Sequence, residues 1–76
     1  MKKDLNADKL SFAVFVIENA AERLKKDGAE VYDLLTKKTN LLHSYIIPNY
    51  EALHTQGKDY IINEIIEKLK ASGARL

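Results

Sequence analysis

The sequence has no cysteine, only one proline and three glycines among its 76 residues. Without cysteine the chain can form neither a disulfide nor a thiolate-based zinc site. So few turn-forming residues argue against a β-rich fold, which needs many tight turns. No apolar run approaches the length of about 18 residues that suggests a membrane span, and no signal-peptide hydrophobic region follows Met1–Lys3. We therefore expect a cytoplasmic protein.

The sequence also has almost no excess of charge of one sign, because 12 basic and 11 acidic residues leave a formal net charge of +1. This balance predicts no strong attraction to nucleic acid or to an anionic membrane. Leu, Ile, Val and Phe supply 22 of the 76 residues, above the content of about 20% below which chains tend to stay disordered. We expect a single helical domain over residues 1–76, with an ordered core from about residue 8 to 72.

Apolar residues recur at steps of three and four, which predicts an all-α, single-domain bundle of four main helices. The first helix is expected to end where Gly28 takes the left-handed conformation. The second is expected over about Ala29–Lys38, the third over Asn40–Thr55 and the last over Lys58–Ser72, with Gly73 as its stop.

The third helix is expected to be kinked or broken at Pro48. Proline has no backbone N–H to donate to the Ser44 carbonyl, and its ring crowds that oxygen. From residue 39 to 57 the only formal charge is that of Glu51, so this part of the chain is predicted to pack against most of the other elements.

The first helix carries apolar residues on two sides. Its predicted core stripe consists of Leu10, Ala13, Val14, Ile17, Ala20, Ala21 and Leu24. Phe12, Phe15 and Val16 project elsewhere, close to Asn19. Either another helix of the same chain covers them, or the four residues form an interface with a second chain. A chain this short gains most from intermolecular burial, which favours a homodimer through this patch.

Histidine and tyrosine provide the candidates for chemistry. Tyr50 and His54 are four residues apart, so on a helix they are neighbours within hydrogen-bonding reach. His43 and His54 are eleven apart, or roughly 16 Å along a helix, too far to share a metal ion. We predict no metal, no cofactor and no catalytic residue. In the structural interpretation the His54 side chain bonds a helix-end carbonyl, whereas in the catalytic one it acts with Tyr50 in a small enzyme.

Four segments carry a family resemblance: Leu10–Glu18, Gly28–Leu35, Tyr50–Gly57 and Tyr60–Ile65. They resemble the short bacterial helical proteins of domain of unknown function 3791, and the likeness extends over about Leu10–Leu69. Its most specific part is the motif Tyr-x-x-Leu-His-Thr-x-Gly, formed by Tyr50, Leu53, His54, Thr55 and Gly57.

We expect this motif to be structural. Leu53 should point into the core, and Gly57 should take a positive φ after the end of the helix. The alternative is that Tyr50 and His54 make the motif a functional site.

The resemblance implies no established activity. Members of the family are often encoded beside a short protein that resembles an ADP-ribosyltransferase-like toxin. The resemblance therefore implies a non-enzymatic protein-interaction module that acts as an antitoxin-like or regulatory partner of a neighbouring gene product. The alternative from another class is a small nucleic-acid-binding regulator built on a helix-turn-helix, and the third is an enzyme that uses Tyr50 and His54. We expect a protein partner, either a second copy or that gene product, with no nucleic acid and no membrane bound.

Overall fold

The structure, a computed structural model, describes the backbone of residues 5–76 and the side chains of residues 7–76. Met1–Lys3, which entered the expectation about location, lie outside the described residues. In the described part the chain forms helices joined by turns, without a strand, which confirms the all-α prediction. The elements are α1 (Leu5–Leu24), α2 (Gly28–Asp33), a first π-helical segment (Leu34–Lys38), a second π-helical segment (Leu42–Ile46), α3 (Tyr50–Leu53) and α4 (Lys58–Ala71).

Four main helices were predicted, but only α1, with 20 residues, and α4, with 14, are long. The predicted second helix is α-helical up to Asp33 and then widens into the first π-helical segment. The predicted third helix is divided into the second π-helical segment and α3. The bundle therefore consists of two long helices with a chain of short helical segments between them.

One cluster of buried side chains forms the core and draws on every element. Its members are Phe12, Ala13, Val16, Ala20, Ala21, Val31, Leu35, Leu42, Ile46, Tyr50, Leu53, Ile61, Ile62, Ile65, Ile66 and Leu69. The three- and four-residue spacing of Ile62, Ile65, Ile66 and Leu69 predicts them as the main stripe of the last helix. All four are in the core, which confirms that stripe.

Helix α1 buries only part of its predicted stripe: Ala13, Ala20 and Ala21 lie in the core and Ile17 and Leu24 pack against it. Val16 and Ala20 are fully buried, whereas Leu10 and Val14, both assigned to the predicted core stripe, are exposed. The apolar sector of α1 runs roughly 260° around the helix, from Phe15 through Val16 to Val14. Since the rest of the bundle covers only part of so wide a sector, tertiary packing selects the face that enters the core.

The two long helices end in the same hydrogen-bonding motif. In α4, Gly73 has a φ of 87°, and the Ala74 amide donates to the Leu69 carbonyl at 3.0 Å. In α1 the left-handed residue is Lys25, with a φ of 57°, instead of the predicted Gly28, which begins α2. Both ends satisfy their free carbonyls through a left-handed residue, and a lysine takes that position in α1.

Pro48 separates two helical segments, which confirms the predicted break. The second π-helical segment ends at Ile46, and α3 begins at Tyr50. In the turn between them Asn49 donates twice to the Tyr45 carbonyl, from its backbone N at 3.1 Å and from Nδ2 at 2.8 Å. The amide group of Asn49 thus satisfies a carbonyl next to the position where proline interrupts the helix.

Gly57 does not have the positive φ that we expected. It precedes α4 in an extended conformation, with φ −69° and ψ 154°. A Cβ built on it would meet nothing within 4 Å. The position does not require glycine.

A pair of glycine variants tests this difference. Gly57→Ala is expected to change the free energy of unfolding by no more than about 0.5 kcal/mol, because the gain from a less flexible unfolded chain offsets a weaker helix cap. Gly73→Ala is expected to cost about 1 kcal/mol, since its left-handed conformation disfavours a side chain. Thermal denaturation followed by circular dichroism measures both variants. Equal melting temperatures for the two would contradict the assigned conformations.

Candidate functional site

The predicted interface residues lie mostly inside the protein. Phe12 and Val16 are buried, and Phe15 is half-buried against the core. Asn19 is also half-buried, and its Nδ2 donates to the Phe15 carbonyl at 2.8 Å. The prediction that these residues form an exposed patch is wrong, because other parts of the same chain cover them. The predicted homodimer thereby loses its interface.

The family motif reaches the core through its tyrosine and leucine. Tyr50 and Leu53 are buried, which confirms the predicted position of Leu53. The Phe12 ring meets the Tyr50 ring edge to face, with centroids 5.4 Å apart. On its other side Tyr50 stacks on the His54 ring, with centroids 4.4 Å apart and planes 10° from parallel. The motif thus anchors the short α3 to α1 and ends in an exposed imidazole.

The contact between Tyr50 and His54 is a stack, not the expected hydrogen bond. The lone pair and N–H groups of an imidazole lie in the plane of the ring. That plane is almost parallel to the Tyr50 ring, so neither ring nitrogen of His54 points at the tyrosine. A general base must be within hydrogen-bonding reach of the group that it deprotonates. The stack therefore stabilises the end of α3 and does not form a nucleophile–base pair.

His54→Ala is expected to lower the free energy of unfolding by about 0.5–1 kcal/mol, the lower part of the range for aromatic pairs, because the ring is exposed on one side. His43→Ala is the matched control. His43 is also exposed and has no described aromatic stack, so its removal should change stability by less than about 0.5 kcal/mol. Urea denaturation of both variants measures the difference. A catalytic His54 would instead give unchanged stability and lost biological activity.

An uncovered apolar groove lies between α1 and the chain around the π-helical segments. It encloses about 400 Å³. Leu10 is 67% exposed, Tyr32 48% and the neighbouring Val14 46%. We use the name apolar groove for this groove together with Val14, which lies one helical turn after Leu10 on α1. It is lined by Lys9, Leu10, Ala13, Tyr32, Leu42, His43 and Ile47.

The apolar groove continues the packing seam between α1 and α2. Where α2 begins, a Cβ built on Gly28 would lie 3.8 Å from Cγ2 of Ile17, so Gly28 lies next to the Ile17 side chain there. One to two turns nearer the N-terminus of α1, Leu10 and Val14 are uncovered. The second π-helical segment, with Leu42 and His43, forms part of the opposite wall. Such wide helical turns occur often at functional sites.

Sequence reasoning missed this surface although its signal was present. The apolar residues of α1 occupy too wide a sector for one core face, so one side had to remain uncovered or meet a partner. We assigned the uncovered side to Phe12 and Phe15, whereas the structure assigns it to Leu10 and Val14.

Some of the charged groups in the described part of the chain form ion pairs. Arg23 joins the long helices, donating from Nη2 to Oδ1 of Asp59 at 3.2 Å and from Nη1 to the side-chain oxygen of Asn63. The other described ion pairs are Lys26 with Glu30, Lys37 with Asp33, and Lys70 with Glu67. Four of the ten described basic side chains, Arg23, Lys26, Lys37 and Lys70, are therefore paired with a carboxylate.

Among the described residues, Tyr45 has a raised pKa. Burial raises the pKa of its phenol, and the Glu64 carboxylate and the Tyr60 phenol raise it further. Nζ of Lys68 lies 4.4 Å from the ring centroid, a cation–π contact. The phenol of Tyr45 is consequently harder to deprotonate than that of a free tyrosine.

The part of the chain that the structure describes has neither a metal-binding cluster nor a membrane-spanning helix. No cluster of three or more histidine, aspartate or glutamate residues there could hold a metal ion. Among the described helices none combines the length and apolarity needed to cross a membrane.

In the described residues, the fold is that of a small helical protein with an uncovered apolar groove. Residues 11–72 match the family model described as "Protein of unknown function (DUF3791)". The chain therefore belongs to this family, as the resemblance indicated. A search of curated proteins and a search of solved structures gave no match.

Proposed function

We propose that the protein is a non-enzymatic protein-interaction module that binds its partner through the apolar groove. The observation that carries this proposal is the exposure of Leu10, Val14 and Tyr32 on one face of a 76-residue protein. Contiguous exposed apolar surface of this kind marks interaction sites. Covering it with a partner would extend the hydrophobic core and stabilise both proteins.

The rest of the molecule supports binding over catalysis. The best candidate pair for catalysis, Tyr50 and His54, is arranged as a stack of rings. A nucleic-acid-binding role has less support, since the formal net charge is only +1 and Lys26, Lys37 and Lys70 pair with carboxylates three or four residues away along the chain. Binding to heparin at moderate salt tests that alternative, and we expect the protein to flow through.

The proposed role in the cell is that of an antitoxin-like or regulatory partner of a neighbouring gene product. This part of the proposal is supported by what the family resemblance implies. Members of the family are often encoded beside a short protein that resembles an ADP-ribosyltransferase-like toxin. A small binding module with one uncovered face suits such a role, because covering a partner's surface requires no chemistry of its own.

Co-expression with the products of adjacent genes tests the proposal. We expect one of them to co-purify with the protein and to lose this association with Leu10→Ser, which alters the apolar groove. Tyr60→Ser is the matched control, because Tyr60 is 53% exposed but does not line the groove. Association that is retained in Leu10→Ser, or no association with any adjacent product, would contradict the proposal.

A further inference from the structure

We infer that the apolar groove binds an amphipathic helix of a different protein, whose apolar stripe is flanked by carboxylates. This inference rests on the proposed function and adds the chemistry of the partner segment. It is supported by the spacing of apolar residues on α1, by the charges on the groove and by the poor fit of a second copy.

The shape of the groove fits a helix. Along α1, Leu10, Ala13, Val14 and Ile17 have the spacing i, i+3, i+4 and i+7, with which one helix packs on another. The C-terminal part of this seam is already covered by α2. The N-terminal part has a wall on its far side, and no helix of residues 5–76 fills the space between that wall and α1. A partner helix would thus occupy the seam beyond the end of α2.

The charges of the groove fit carboxylates. Two basic residues, Lys9 and His43, line the groove, and no aspartate or glutamate lines it. Within residues 7–76 the described ion pairs leave both side chains without an acidic partner. Asp33, at the end of α2, pairs with Lys37 at 3.8 Å. An acidic residue beside the partner's apolar stripe would therefore meet unpaired positive charge.

A second copy of this chain fits poorly. Apart from the groove, the described residues expose only two large apolar side chains, Tyr60 and Leu76, which lie on different segments and form no stripe. Two copies could then associate only groove to groove. In such a symmetric pair the two grooves would face each other, bringing both Lys9 side chains into an interface to which neither groove contributes a carboxylate.

Binding of two synthetic peptides tests the inference. Both are about 18 residues long, because isolated helices shorter than about 12–15 residues are only marginally stable in water. Both carry leucines at helical spacing. Glutamates flank the leucines in one peptide and lysines in the other. Fluorescence anisotropy at low salt should show that the acidic peptide binds about tenfold more tightly. Leu10→Ser should abolish its binding, whereas Tyr60→Ser should not.

Two substitutions to glutamate show whether the groove residues cause this preference. Lys9→Glu and, separately, the exposed His43→Glu should each lower the ratio of the two affinities towards about one. Having two variants protects the test against a folding defect in either, and circular dichroism verifies that each is folded.

The possible outcomes separate the inference from the proposed function. Equal binding of the two peptides overturns the acidic partner but retains the apolar groove as a binding site. If neither peptide binds while binding of an adjacent gene product still depends on Leu10, the inference of a helical partner segment is wrong and the proposed function stands. Self-association in light scattering that disappears in Leu10→Ser identifies the occupant as a second copy and also overturns the inference. If neither the peptides nor the adjacent product depend on Leu10, both proposals are wrong.

Discussion

Val16→Asp is expected to unfold the protein, whereas Val14→Asp, on the same helix, is expected to leave it folded. Val16 is fully buried in the core, but Val14 is close to half exposed at the edge of the apolar groove. An unpaired buried carboxylate costs roughly 3–5 kcal/mol. A chain of 76 residues has about 4–11 kcal/mol of stability in total, at 0.05–0.15 kcal/mol per residue. The two substitutions are chemically identical, so the difference between them reports burial alone.

Circular dichroism and thermal denaturation measure this contrast. Val14→Asp should retain the helical signal and a cooperative transition, and it should also bind the proposed partner less well. It therefore separates binding from folding. If Val14→Asp unfolds the protein, or if Val16→Asp is tolerated, the face that α1 turns towards the core has been assigned incorrectly.

Leu53→Ala is expected to lower the free energy of unfolding by about 2–5 kcal/mol. Leu53 is 5% exposed and lies in the core with Tyr50. Because α3 has only four residues, its hydrogen bonds alone cannot hold it, and packing of these two side chains keeps it in place. Loss of Leu53 should loosen α3 and the turn that leads into α4.

Leu10→Ala provides the matched control, as the same substitution at a leucine that is largely exposed. It should change the free energy of unfolding by less than about 0.5 kcal/mol. Urea denaturation with a common slope for all variants gives both values. A small effect for Leu53→Ala would contradict the structural role of the family motif, and a large effect for Leu10→Ala would show that the apolar groove is covered in the free protein.

The sequence alone was sufficient to predict α4. Its isoleucines and Leu69 repeat at helical spacing on one face, and that stripe is buried as expected. The stop at Gly73 and the break at Pro48 were predicted because glycine and proline restrict the backbone locally, whatever surrounds them. The family resemblance followed from local motifs in the same way.

Other local features depended on hydrogen bonds that the sequence does not specify. Lys25 ends α1 in the left-handed conformation, three residues before the expected Gly28, and Asn40 also has a positive φ, at 60°. Gly57 has an ordinary extended backbone. The two π-helical segments replace parts of predicted α-helices. At these positions tertiary packing outweighs backbone preferences of about 1 kcal/mol per residue.

The choice of faces on α1 belonged to the tertiary structure alone. Periodicity identified α1 as a helix with apolar residues on both sides, but no property of the helix distinguishes Val14 from Val16. What distinguishes them is which side the neighbouring segments cover: α3 reaches Phe12 through Tyr50, and α2 covers the seam near Ile17 but leaves Leu10 open. The sequence determined that part of the apolar surface of α1 would need a cover. Long-range packing decided that Phe12 and Val16 are covered within the chain while Leu10 and Val14 remain accessible, because burial depends on residues distant in sequence that meet only in the folded protein.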